Sequence, residues 1–228
     1  MTHWEILESE WEKSFSRLRK TEYFRRMAEG QLELAHYKGF LRESYHNVAQ
    51  NPKSMALFIS RLSTNRVALA GKFLKHAAME MGHDELALSD LAILGEDAAG
   101  IRQTRPLPTT EALSAFIYFQ MMQRNPLAYL GYSFHLEALP IRMGETGISL
   151  LLKMGVPLSA TTFLKEHADL DPVHMRWNRE YVEGFVKTPE DLEAVLYGLR
   201  GACDLHGVMF QGILDHASIP QNEESLTA

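Results

Sequence analysis

Apolar residues recur at three- and four-residue steps along most of the chain, and no strand-like alternation competes with that rhythm. Trp4, Leu7, Trp11, Phe15 and Leu18 form one stripe and predict a helix over 3–19. Leu34, Tyr37, Leu41, Tyr45 and Val48 form a second, over about 30–49. That helix should stop before Asn51-Pro52, because proline disfavours helix in the residue preceding it. Two more helices are expected over 53–62 and 66–90, separated near Ser63-Thr64-Asn65. From Leu94 to Pro108 two glycines and two prolines lie among polar residues, which reads as a long connection. Further helices are expected from Thr109-Thr110-Glu111 to about 123, and from Asn125-Pro126 to about 153 with a kink or break at Pro140. Others should run near 159–170, from Asp171-Pro172 onward, and over about 189–216 behind the capped start Thr188-Pro189-Glu190-Asp191. The fold class is all-α, with one helical domain over residues 1–218 and a flexible C-terminal tail over 219–228.

Composition narrows the compartment and the partners. With 228 residues, 46% of them hydrophobic, the chain is long enough to bury a core without a disulfide. Cys203 is the one cysteine, and the acidic start Glu5-Ile6-Leu7-Glu8-Ser9-Glu10 is wrong for a signal peptide, so a cytoplasmic location is expected. No apolar run is long enough for a membrane span. The net charge of −6 and the lack of a long Lys/Arg run speak against nucleic acid as a partner. No phosphate loop, nucleophile elbow or paired C-x-x-C appears. Histidine, at ten copies, is what stands out.

The sharpest local pattern is His167-x3-Asp171-x2-His174, whose three side chains share one face of a continuous helix. Two imidazoles and a carboxylate are a donor set that non-haem iron favours. The plain alternative is that Asp171 caps a helix with Pro172 at its first position. Glu80-x-x-His83 is a second pair, of the kind helical bundles use to hold two metals, although Glu43-x-x-His46 shows how readily the spacing arises. Glu137 is a third signal: it lies inside one of the most apolar segments, where a buried anion needs a metal or a counter-charge such as Arg142. Glu43, Glu80, His83, Glu137, His167, Asp171 and His174 together give four carboxylates and three imidazoles, enough for two metals and an open position for dioxygen. Structural zinc prefers sulfur, and magnesium or calcium would not select three imidazoles. Phe116, Tyr118, Phe119, Met121, Met122, Tyr129 and Phe134 are candidates for a substrate pocket, with Arg42, Arg61 or Arg124 to anchor a carboxylate; ordinary core and solvated surface are the plain alternatives.

With these motifs the sequence resembles the haem-oxygenase-like diiron oxidases, also grouped as iron-containing redox enzymes. The likeness extends over about residues 30–185 and rests on Glu43, on Glu80-x-x-His83, on Gly131-Tyr132-x4-Glu137 and on Glu166-His167-x3-Asp171-x2-His174. It implies a haem-oxygenase-like bundle of about seven to nine helices, two non-haem irons on those seven residues with Glu80 or Asp171 as a bridge, and oxidation of a small organic substrate by dioxygen. The electron donor is left unspecified, and assembly as a homodimer stays open. Two departures stand out: Phe73 where some relatives have a further carboxylate, and Pro140 close behind Glu137, where a glycine-rich turn is more familiar. His76, seven residues before His83, is a candidate to compensate, or else a core histidine. The same fold serves metal-free thiaminase-like and pyrroloquinoline-quinone-biosynthesis proteins, so those, and a non-catalytic helical binding protein, are the rival expectations.

Overall fold

The structure, a computed structural model, describes residues 1–217; the expected tail over 219–228 lies outside the described residues. The helices are α1 (His3–Leu18), α2 (Glu22–Ala28), α3 (Leu34–Val48), α4 (Asn51–Arg61), α5 (Val67–Met79), α6 (His83–Ile93), α7 (Ala98–Ile101), α8 (Pro108–Gln123), α9 (Ala128–Lys153), α10 (Thr162–Phe185) and α11 (Pro189–Ala217). A 3-10 turn, Leu158–Ala160, precedes α10. Leaving aside the single-turn α7 and the seven-residue α2, nine longer helices remain, and no strand occurs among the described residues.

Most predicted helices lie where their stripes put them. The Thr188–Asp191 start is capped as expected: Asp191 Oδ2 accepts from the Lys187 and Thr188 amides, and Thr188 Oγ1 accepts from the Asp191 amide. Three boundaries differ. The segment expected as one helix over 66–90 is broken at Glu80-Met81-Gly82, where Gly82 takes φ +95° and restarts the chain as α6. α9 continues through Pro140, and α10 runs unbroken through Pro172, whose exposed ring lies towards solvent. Asp171 is therefore a mid-helix residue and not a cap. The cap comes from elsewhere: Asp90 on α6 accepts from the Thr162 amide and hydroxyl through Oδ1 and from the Phe163 amide through Oδ2.

α9 is the hub of the bundle, packed against α8, α10 and α11. Its crossing with α11 is glycine-mediated on both sides. A Cβ on Gly131 would sit 1.9 Å from the Val195 carbonyl oxygen, and one on Gly198 would sit 2.0 Å from that of Ala128. The backbones thus touch where a side chain would hold them apart. One apolar cluster joins α1, α9 and α11 through Trp4, Trp11, Phe134, Leu199 and Phe210; a second joins α3, α6 and α10 through Leu41, Leu88, Leu91 and Phe163. Among the described residues no helix is long and apolar enough to cross a membrane.

Candidate metal centre

Buried polar side chains converge where α5, α9 and α10 meet. His76 and Glu80 come from the end of α5, Glu137 from α9, and Asp171 and His174 from α10. His174 Nδ1 lies 3.3 Å from Glu80 Oε1, 3.2 Å from Glu137 Oε2 and 3.6 Å from Asp171 Oδ1. His76 Nε2 lies 3.6 Å from Glu80 Oε1 and 3.8 Å from Glu137 Oε1. Two overlapping groups have ligand atoms all within 4.8 Å of one another: His76, Glu80 and His174, and Glu137, Asp171 and His174.

His83 and His167 extend this core. The Gly82 turn folds His83 back so that Nδ1 lies 3.5 Å from Glu80 Oε2, and the His83 and His167 rings are 5.3 Å apart. A carbonyl can only accept, so the 2.7 Å contact between His167 Nδ1 and the Phe163 oxygen puts the proton on Nδ1 and leaves Nε2 with its lone pair free. Asp90 fixes the start of α10 on α6, and so ties the helix bearing His167 to the helix bearing His83.

Glu43 does not join this group. Its Oε2 accepts from the Leu107 amide at 2.9 Å and from the Thr110 hydroxyl at 2.5 Å, so the buried carboxyl group is satisfied by the start of α8. Sequence gave no sign of this, because the partners lie more than sixty residues away. Asn51, read only as a helix-stop signal, contributes instead: Nδ2 donates to Glu80 Oε2 at 3.2 Å while Oδ1 accepts from the Tyr129 hydroxyl at 2.7 Å. Phe73 is fully buried against Phe58 and Tyr181; His76, one turn on, reaches the cluster.

Burial pushes the Glu137 carboxyl up to about 7 and the Asp171 carboxyl up to about 8, against the pull of His174. Burial opposes the His174 imidazolium, but Asp171 and Glu137 outweigh it and hold it up at about 10. Burial likewise opposes the Glu80 anion, yet His76 and His83 hold it well below the usual carboxylate range. Burial pushes His76 and His167 down, whereas Glu80 raises His83.

Among the described residues, eight buried side-chain nitrogen or oxygen atoms lack a hydrogen bond, and six belong here: both His76 nitrogens, Glu80 Oε1, His83 Nδ1, Glu137 Oε2 and Asp171 Oδ2. Each such orphan costs about 1–3 kcal/mol. Six together approach the whole stability of an ordinary domain, about 5–15 kcal/mol, so the arrangement is not explained as scaffolding. A cation can take the lone pairs among them, those of the three carboxylate oxygens and of one nitrogen each of His76 and His83, and an N/O set without sulfur suits iron.

The cluster opens on a cavity of about 360 Å³, to which Glu80, Glu137, His167 and Asp171 present one wall. The rest is chiefly apolar, with Leu136, Leu139, Met143, Phe163, Met209 and Phe210 prominent. None of the seven aromatic and Met residues proposed from sequence lines it: Met121, Tyr129 and Phe134 are buried core, while Phe119 and Met122 are exposed on α8. Arg42, Arg61 and Arg124 do not line it either.

Solved structures share this architecture. A domain of unknown function with a heme oxygenase-like fold from Shewanella denitrificans superposes with a TM-score of 0.82 at 24% identity, covering 93% of this chain and 90% of that one. A TenA homologue from Pseudomonas syringae gives 0.73 at 12% identity, covering 93% of each chain. The heme oxygenase of Leptospira interrogans gives 0.70 at 15%, covering 92% of this chain and 98% of that one. At these identities the likeness establishes the fold, which is haem-oxygenase-like. No curated protein matches the sequence. The model of the iron-containing redox enzymes matches residues 38–207, a span that holds every residue of the buried cluster, and the chain belongs to that family.

Proposed function

We propose that the chain is a non-haem iron oxidase or oxygenase that holds two irons and uses dioxygen to oxidise a small, chiefly apolar molecule seated in the cavity. The observation that carries this reading is the set of orphaned donor atoms beside the cavity, three of which, Glu80 Oε1, Glu137 Oε2 and Asp171 Oδ2, belong to residues of its wall. Glu80, Glu137, His174, Asp171 and His76 would hold the metal pair, with His83 and His167 completing the donors. Glu80 suits a bridge, because its two oxygens face different histidines. Ferrous iron bound there would supply the electrons and the open coordination position that dioxygen needs to react with a closed-shell organic molecule.

The chain's own residues do the rest. Asn51 and Tyr129 set the Glu80 carboxylate by holding Oε2 and leaving Oε1 towards His76 and His174. The Phe163 carbonyl keeps the proton of His167 on Nδ1. Asp171 and Glu137 bind protons near neutral pH and release them when a cation takes their place. The apolar wall excludes water from the space beside these groups.

The metal-free alternative needs a nucleophile of its own. Cys203 is almost fully buried, burial pushes its thiol up to about 12, and it does not line the cavity, so it offers no thiolate. Anaerobic titration with ferrous iron, followed by metal analysis and exposure to air, tests the reading. About two irons per chain and a transient visible absorbance support it. An iron content that is negligible, or unchanged in His174→Ala, overturns it.

A further inference from the structure

Away from the carboxylates, a buried polar relay runs from Trp11 on α1 through His135 on α9 to His206 on α11, which lines the cavity beside α2. Trp11 Nε1–H donates to His135 Nδ1 at 3.2 Å, and Cys203 Sγ lies 3.2 Å from the same nitrogen. His135 Nε2 lies 3.0 Å from His206 Nδ1. An indole N–H has no lone pair and can only donate. His135 Nδ1 must therefore be bare, and its proton sits on Nε2. That proton goes to His206 Nδ1, so His206 keeps its own on Nε2. A single tryptophan thus fixes the tautomers of two histidines in sequence.

The last donor of this relay belongs to the cavity. His206 lines it, stacked on Phe210 with ring centroids 4.6 Å apart and planes 5° from parallel. The hydrogen bond its ring makes among the described residues is at Nδ1, to His135. Its surroundings are Tyr23, Phe24, Met209 and Phe210, and burial pushes the imidazole down to about 4, so it stays uncharged. An anion brought to such a wall would lose its hydration, and the one Lys or Arg among the described residues that lines the cavity, Lys153, lies at the end of α9 and not on this wall. A neutral oxygen would lose less and gain a hydrogen bond.

The position is also set apart from the metal ligands. Ring contacts run from His167 to Phe163 (4.5 Å), to Phe40 (6.0 Å), to Phe210 (6.3 Å) and to His206 (4.6 Å). Three phenylalanine rings thus lie along the series of ring contacts that links His206 to His167.

We propose that His206, through Nε2–H, determines specificity by binding an uncharged oxygen acceptor, a ketone or ester carbonyl, at the end of an apolar substrate remote from the position that is oxidised. This rests on the reading of the cavity as the substrate chamber, but not on how many irons are bound.

The test is calorimetric titration of the full-length chain with three molecules of related skeleton: limonene, with no oxygen; carvone, with one ketone; and perillic acid, with a carboxylate. The carvone-to-limonene affinity ratio is expected to fall about tenfold in His206→Phe, the size of one net hydrogen bond, and to recover in part in His206→Gln, whose amide keeps an N–H. In wild-type protein with isotope-labelled histidine, carvone and not limonene should shift the His206 Nε2 resonance, a readout that stands even if His206→Phe fails to fold. A ratio unchanged in folded His206→Phe, or an unmoved resonance at saturating carvone, overturns the assignment. Perillic acid binding more tightly than carvone overturns the preference for an uncharged group. Failure of all three to bind overturns the chamber reading with it, while iron loading still reports on the metal centre by itself.

Discussion

Glu80 Oε1 lies 3.3 Å from His174 Nδ1, while Oε2 of the same carboxylate turns to His83 and to the amide of Asn51. One side chain thus faces histidines from two helices through two different atoms. If it bridges two irons, Glu80→Gln keeps its size and a partner for Asn51 but loses the second ligating oxygen. Iron content should then fall from about two per chain to one or less, measured by metal analysis after anaerobic loading. Retention of two irons would remove Glu80 from the bridge.

A second prediction concerns pH. Asp171 is raised from an ordinary 3.8 to about 8, Glu137 from 4.5 to about 7 and His174 from 6.5 to about 10. In all three the folded chain holds the proton more tightly than the unfolded one, so stability falls as pH rises through each interval. Glu80 works in the opposite sense, but its contribution is complete above the ordinary carboxylate range and lost only in acid. The buried histidines His76, His135, His167 and His206, pushed down by burial, also oppose the decline, and their contribution is complete only above the ordinary imidazole value of 6.5. The metal-free Tm should therefore decline from about pH 7 to 9, whereas stabilisation by ferrous iron, which displaces those protons, should grow over the same range. Asp171→Asn imitates the protonated acid. It should flatten the metal-free decline between about pH 7 and 8 and still abolish the response to iron. A metal-free Tm that climbs from about pH 7 to 9 would show that the proton assignments are wrong.

The helices were legible where a regular apolar stripe or a capped start marked them, as the agreement over α1 in the first case and α8 and α11 in the second shows. The site was legible in part, since His167, Asp171 and His174 share one face of a helix that does run on through Pro172. What misled was local chemistry with a second possible use. Asp171-Pro172 has the form of a capped start, yet an exposed proline ring costs α10 only a hydrogen bond while Asp90 supplies the real cap from another helix. The apolar rhythm of 66–90 continues past Gly82, so only its positive φ betrays the break that turns His83 back on Glu80. Asn51 and Glu43 depend on partners distant in sequence, and no periodicity carries that information.

The α9–α11 crossing gives a third prediction. Gly131→Ala drives a Cβ to 1.9 Å from a backbone oxygen that no side-chain rotation can relieve. A loss of about 3 kcal/mol or more, or failure to fold, is expected from overpacking of this kind. Gly71→Ala, on α5 with nothing within 4 Å of the added carbon, should stabilise by about 0.5–1 kcal/mol. Chemical denaturation of the two variants distinguishes a steric need for glycine from mere tolerance of it, and similar behaviour in both would discount the close contact.

The fourth prediction separates Glu43 from the ligands it resembles in sequence. Its carboxylate is buried like those of Glu137 and Asp171, but it accepts from the Leu107 amide and the Thr110 hydroxyl, whereas those two keep an orphaned oxygen. Glu43→Ala removes the acceptor and strands two donors at the start of α8, which should cost about 1–3 kcal/mol in denaturant unfolding. Iron content after loading should nevertheless stay at the wild-type value, because the start of α8 is not part of the cluster. Glu137→Ala should show the reverse: it removes a buried orphan, so metal-free stability changes less, and iron is lost. If Glu43→Ala and Glu137→Ala instead lose iron alike, Glu43 is a ligand after all, and its hold on α8 must be given up when the metal enters.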